Sequence, residues 1–145
     1  MGGATASRGL SERDRAAIRQ MFAGATRDVE VAVYRRGAMT EAGTGFLRAL
    51  ADVQTLTSRL QVSMHEYADR EQTVERAPGI ALRDREGNDL RVRFYGWPSG
   101  YEFTSFLTTV ADAAAGPDGQ LQPDTLAALE GLRSDVQIKV FSTPT

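Results

Sequence analysis

The sequence predicts an α/β domain: a mixed four-stranded sheet sandwiched by flanking helices, extended by one more helix and strand at the C-terminal end. Three observations carry this expectation. Val29, Val31 and Val33 alternate with Glu30, Ala32 and Tyr34, and Leu60, Val62 and Met64 alternate with Gln61, Ser63 and His65. Both stretches have the period of a strand. A helix-like segment lies between them, so the two strands need a crossover, and a crossover favours parallel pairing. Finally, Ile80 and Leu82 precede the turn Arg85-Glu86-Gly87-Asn88, and Leu90, Val92 and Phe94 follow it in alternation, which predicts an antiparallel hairpin.

Each element has its own local reason. Ser11 before Glu12 and Asp14 reads as a helix cap, and Ala17, Ile18, Met21 and Phe22 recur at helical spacing until Gly24, giving a first helix over roughly 11–23. After the first strand, Arg35 to Gly45 contains Gly37, Gly43 and Gly45 and reads as a loop into a second helix, whose face is Phe46, Leu47, Leu50, Val53 and Leu56. A charged stretch, Asp69 to Arg76, follows the second strand, and Ala77-Pro78 precedes the hairpin. Phe103, Phe106, Leu107, Val110, Ala111 and Ala114 form the apolar face of a third helix, stopped by Gly116-Pro117-Asp118-Gly119. Beyond it, Pro123 suits the first turn of a helix bearing Leu126, Leu129 and Leu132, and Val136, Ile138 and Val140 read as a strand.

This last piece repeats an earlier one. Arg27-Asp28-Val29-Glu30-Val31-Ala32-Val33-Tyr34 matches Ser134-Asp135-Val136-Gln137-Ile138-Lys139-Val140-Phe141 in phase and chemistry. The expected organisation is a disordered tail over 1–10, one complete unit over 11–115, and a linker, helix and first strand of a second, incomplete unit over 116–145.

Composition removes whole classes of function. The 145 residues, 41% hydrophobic and 25% charged, suit a single folded domain rather than a disordered chain. With no cysteine, disulfides, thiolate metal sites and cysteine nucleophiles are excluded from this chain. The longest uncharged run, Phe103 to Ala111, is nine residues, far below the roughly 20 a membrane helix needs. The 17 basic residues alternate with 19 acidic ones, and only Lys139 is a lysine, so no phosphate-binding stripe forms and nucleic acid is not an expected partner. Met1 to Ser7 lacks the apolar core of a secretory signal, and the expected location is the cytoplasm.

The order strand, helix, strand, proline, hairpin, helix is that of the thioredoxin fold, and the residues extend the likeness. The block Leu90-Arg91-Val92-Arg93-Phe94-Tyr95-Gly96-Trp97-Pro98-Ser99-Gly100-Tyr101-Glu102-Phe103 resembles a segment of glutaredoxin-like protein disulfide oxidoreductases and of the N-terminal domain of the alkyl hydroperoxide reductase flavoprotein subunit. In that segment Gly96, Pro98, Gly100, Glu102 and Phe103 carry the pattern. Both families place two thioredoxin units in tandem. The resemblance implies that Ala77-Pro78 stands where the fold's cis-proline exposes a peptide-binding backbone edge. It also implies that Val140 to Thr145 approaches the reactive loop of a second unit. The first unit's own Cys-x-x-Cys would fall at Thr40-Glu41-Ala42-Gly43. A threonine hydroxyl cannot carry the electron pair of thiol–disulfide exchange. The resemblance therefore implies a redox-inactive unit, with no catalytic residue and no cofactor of its own, in a protein of cell redox homeostasis. Its expected partner is the remaining half of a tandem protein, or a redox partner protein.

Other candidates read more plainly. His65 is the only histidine, and with no ligand cluster near it in sequence it is expected at the surface rather than on a metal. Asp84, Glu86, Asn88 and Asp89 lack calcium-loop spacing and read as a turn about Gly87. Gly43-Thr44-Gly45 lacks the rest of a phosphate loop. Tyr95, Trp97 and Tyr101 read first as packing between the last strand and the third helix, and second as a partner patch. The alternative function is a stand-alone interaction module, a homodimer formed through the 136–140 strand.

Overall fold

A computed structural model describes residues 9–70, 73–116 and 121–141. Of the tail expected over 1–10, residues 1–8 lie outside the described residues, as do the linker at 117–120 and the approach Ser142 to Thr145; Leu10 is not free tail but packs against the core. The elements are α1 (Glu12–Met21), β1 (Val29–Arg35), α2 (Glu41–Gln54), β2 (Leu60–Glu66), β3 (Gly79–Asp84), β4 (Asp89–Tyr95), α3 (Tyr101–Ala115) and α4 (Pro123–Glu130). Ser11 caps α1 by accepting from the Asp14 amide, with Glu12 and Asp14 in the first turn, where acids favour the helix dipole.

The sheet order is β2-β1-β3-β4. β1 and β2 run parallel, with Val29 beside Leu60 and Tyr34 beside His65. β1 and β3 run antiparallel, as do β3 and β4. The crossover and the hairpin are therefore as expected, and Gly87 has a φ of 85° in the hairpin turn. There the Asp84 carboxylate accepts from the Asn88 side chain and backbone, each at 2.8 Å. Those bonds, the Asn88 side chain's first, hold its carboxyl below the usual range.

The period of two divides the sheet into unlike faces. Val29, Val31, Val33, Leu60, Ile80 and Leu82 point to one side and join Ile18 and Phe22 of α1, Phe46, Leu50 and Val53 of α2, and Phe106, Leu107 and Val110 of α3 in one buried core. The helices α1, α2 and α3 thus gather on one face and do not sandwich the sheet as expected. The opposite face has a smaller cluster, Ala32, Tyr34, Val74 and Ala81, edged by Tyr67 and Tyr95. No helix covers it among the described residues. Between β2 and β3 the chain is too charged to offer an apolar helix face, so three tyrosines do the covering. Arginines stack on them: Arg36 on Tyr67, Arg76 on Tyr95 and Arg83 on Tyr34, at 4.9, 4.3 and 6.0 Å.

Two further expectations need correction. The segment Arg35 to Gly45 is not all loop, because Thr40 caps α2 and the helix starts at Glu41, taking in Gly43 and Gly45. The strand expected at 136–140 does not form. Alternating valines favour a strand only where a neighbouring strand completes the ladder, and among the described residues none lies beside this segment. Its side chains are exposed, Ile138 at 81% and Val140 at 86%. The helix before it does form as α4, yet it buries no residue.

Candidate functional site

β1 delivers the chain to the first turn of α2 through Arg35, Arg36, Ala38 and Met39. The Thr40 hydroxyl accepts from the Gly43 amide at 3.1 Å. The helix's first turn leaves its leading amides without intrahelical acceptors, so those of Glu41 and Ala42 stay available. Gly43 lies under the Met39 thioether and the Trp97 ring, and a Cβ there would overlap the Met39 Sδ and come within 2.9 Å of the indole.

Across from this turn, the Ala77–Pro78 peptide bond is cis. The Pro78 carbonyl accepts from the Gly96 amide at 3.0 Å. That bond fastens the proline loop to the Gly96–Phe103 block. Gly96 and Gly100 have φ of 86° and 54°, values that favour glycine and that turn the chain from β4 into α3. Pro98 is buried. Glu102 sits in the first turn of α3, and Phe103 packs its ring edge against Phe46 at 6.1 Å. The resemblance block is thus a joint between β4, α3 and the proline loop.

These pieces meet in a shallow cavity of about 80 Å³ lined by Arg35, Arg36, Met39, Thr40, Pro78 and Trp97, with Ala38 and Ala77 at its edges. Thr40, Gly43, Ala77 and Pro78, singled out from the sequence, are therefore brought together; Glu41 and Ala42 are exposed on the same turn. The arginines are tied to carboxylates: Arg36 to Asp69 at 2.8 Å and Arg35 to Glu66 at 3.4 Å. The site presents a hydroxyl, backbone donors and an indole face. Its resources suit backbone and apolar contacts.

Sequence reasoning missed Arg35, Arg36 and Met39. The signal was positional: whatever joins a central strand to its following helix must line the end of that strand. The aromatic expectation divides. Trp97 packs on Phe46 at 5.7 Å, and the Tyr95 hydroxyl accepts from the Glu75 amide at 3.1 Å, but Tyr101 is 95% exposed. His65 is half-buried rather than a free surface residue. Its ring stacks on Tyr34 at 4.8 Å, and its Nε2 lies 2.9 Å from the Ser63 hydroxyl, which in turn donates to Glu30.

Larger space exists elsewhere. A cleft of about 440 Å³ opens at the other end of the sheet among Arg27, Asp28, Arg59, Asp84 and Glu86. There Arg59 is paired with Asp28 at 2.9 Å. Among the described residues no group of histidines and acids is placed to hold a metal ion. No described helix is long and apolar enough to cross a membrane.

The backbone superposes on solved structures. The alkylhydroperoxide reductase protein AhpF of Enterococcus faecalis matches with a TM-score of 0.68 at 23% identity, over 83% of this chain and 59% of that one. A protein disulfide oxidoreductase of Aeropyrum pernix matches with a TM-score of 0.62 at 22% identity, over 84% of this chain and 55% of that one. The fold is thioredoxin-like. In this thioredoxin-like unit, Thr40 occupies the N-cap of the helix after the first strand, facing the cis-proline. A separate structure of the N-terminal domain of the same Enterococcus protein gives 0.67 at 23%, over 82% and 58%. The chain spans less than three fifths of each of these neighbours. No protein-family model and no curated protein sequence matches it.

Proposed function

We propose that this chain is the redox-inactive, N-terminal thioredoxin-like unit of a cytoplasmic thiol–disulfide oxidoreductase. In this reading it scaffolds or docks partners for a dithiol centre carried outside the chain. The observation that carries it is Thr40, which caps α2 beside Pro78 and Trp97 in a chain without cysteine. A thiol at such a helix N-terminus has its thiolate stabilised; a hydroxyl there only caps. The neighbours that share the fold are an alkylhydroperoxide reductase protein and a disulfide oxidoreductase, and they support the assignment to redox homeostasis.

The surface that remains can still bind. The Ala77 backbone makes no hydrogen bond with the described residues. Together with the Glu41 and Ala42 amides it offers the donors and acceptor that an extended peptide needs, while Trp97 offers an apolar wall. Partners expected at this edge are redox proteins or the remaining half of a tandem chain. The purified chain should give no reduction of insulin disulfides by dithiothreitol above the rate without protein. Turnover that rises in proportion to the chain's concentration would contradict the reading.

A further inference from the structure

The first turn of α2 carries a nucleophile that peptide docking does not use. With no cysteine in the chain, its only sulfur atoms are the thioethers of Met1, Met21, Met39 and Met64. Met1 lies outside the described residues. Met21 is partly buried against the core in α1, and Met64 is 43% exposed on β2. Met39 is half-buried and lines the shallow cavity with Thr40, Pro78 and Trp97.

Packing sets Met39 apart from the other three. Its Sδ occupies the space that a Cβ on Gly43 would fill, and two indole carbons of Trp97 stand 2.9 Å from the same point. Sulfur and ring thus share the space over one backbone atom, the approach at which thioethers and aromatic rings attract, about 5 Å. The indole is also packed on Phe46 at 5.7 Å, so it has little freedom to retreat. In the same turn the Thr40 hydroxyl takes the Gly43 amide, while the Glu41 and Ala42 amides have no acceptor among the described residues. An oxygen added to this sulfur therefore has no room between Gly43 and the indole, yet it has unsatisfied donors in the same helical turn. At the more exposed Met64 an added oxygen meets water.

We propose that Met39 is a reversible oxidation site whose state sets the shape of the docking edge. The oxidant is a hydroperoxide. A sulfur lone pair attacks the distal peroxide oxygen, the S–O bond forms as the O–O bond breaks, and the departing oxygen takes a proton and leaves as water or an alcohol. Sulfur loses two electrons and the peroxide gains them. The sulfoxide is polar where the thioether was apolar, and it is larger by one atom. It leaves its seat on Gly43, frees the indole, and accepts from the Glu41 or Ala42 amide. Those amides are the donors assigned above to an extended peptide, so the oxidised chain docks it less well. A methionine sulfoxide reductase supplied with a dithiol restores the thioether, releasing the oxygen as water and leaving the dithiol as a disulfide. Met39 is modified once and is not a carrier of electrons between thiols. The loss of docking rests on the function proposed above; the oxidation and the change at Trp97 rest on the packing alone.

The test treats the full chain with hydrogen peroxide and follows each methionine by mass spectrometry of its proteolytic peptides, with Met64 as the internal comparison. Trp97 is the only tryptophan, and its emission should shift in step with the Met39 sulfoxide rather than the Met64 sulfoxide. In the 15N-labelled chain the amides of Glu41, Ala42 and Gly43 should move with it. Met39→Leu should abolish both signals while Met64 is still oxidised, Met64→Leu should keep them, and the reductase with dithiothreitol should reverse them. Docking of an extended peptide should weaken about tenfold on oxidation of the unaltered chain and stay the same on treatment of Met39→Leu. Met39 left unoxidised when Met64 is fully oxidised, Met39 sulfoxide with emission and amides unchanged, or signals that survive in Met39→Leu would overturn the proposal. Absence of peptide binding before oxidation, with the Trp97 and amide signals present, would refute the docking reading and uphold the oxidation site.

Discussion

Phe106→Ala is expected to lower the unfolding free energy by about 3–5 kcal/mol, the largest loss of any single truncation in this chain. Phe106 is fully buried, and its ring joins three elements. It meets Phe46 of α2 edge-on at 5.3 Å, Phe94 of β4 at 5.1 Å, and Phe103 of its own helix at 6.2 Å. Helices α1, α2 and α3 bury their apolar faces on one side of the sheet, so no second core of that size compensates. The opposite cluster is small and partly built from tyrosines whose hydroxyls are hydrogen-bonded. Urea unfolding, with the slope compared to confirm a two-state transition, measures the loss. A loss under about 1 kcal/mol, the scale of an ordinary point substitution, would mean that α3 is not clamped as described.

Two glycines of α2 that sequence alone cannot tell apart should respond in opposite directions to alanine. Gly43→Ala should destabilise by about 1–3 kcal/mol, because its new methyl group overlaps the Met39 Sδ and the Trp97 ring. Trp97 cannot retreat freely, since it packs on Phe46. Gly45→Ala, two residues further along α2, meets nothing within 4 Å and should stabilise by about 0.5–1 kcal/mol from helix propensity. Thermal unfolding of the two variants should therefore move in opposite directions. Equal shifts would mean that the indole does not press on the first turn of the helix.

How much of this was legible depended on whether the cause was local. Val29 to Tyr34, Leu60 to His65 and the hairpin about Gly87 declare themselves because alternation and turn chemistry lie within a few residues. Ala77-Pro78 and the Gly96–Phe103 block were found as words, and the Gly96-to-Pro78 hydrogen bond explains why they occur together. Three things were not legible. Val136 to Val140 has every local mark of a strand, but a ladder needs a second strand, and its presence is not a property of those residues. The helices' choice of one face was hidden because Ala32 and Ala81 are small enough to be buried on either side. The Glu30–Ser63–His65–Tyr34 chain was missed because β1 and β2 are brought together only by the parallel register. For the site, Thr40 to Gly43 was placed by counting from the strand, while Met39 and the two arginines entered through geometry.

In the proposed function, a thioredoxin-like docking edge acts without redox chemistry of its own. The most direct measurement is a titration of the 15N-labelled chain with an extended, unfolded peptide, followed by backbone amide shifts. The account predicts concentration-dependent shifts grouped at Thr40, Glu41, Ala42, Gly43, Ala77, Gly79 and Gly96, with the far end of the sheet around Arg27 and Glu86 unmoved. Unchanged shifts at Thr40 to Gly43 and at Ala77 and Gly79, at peptide concentrations into the millimolar range (about 1 mM, the weak end of specific binding), would contradict it.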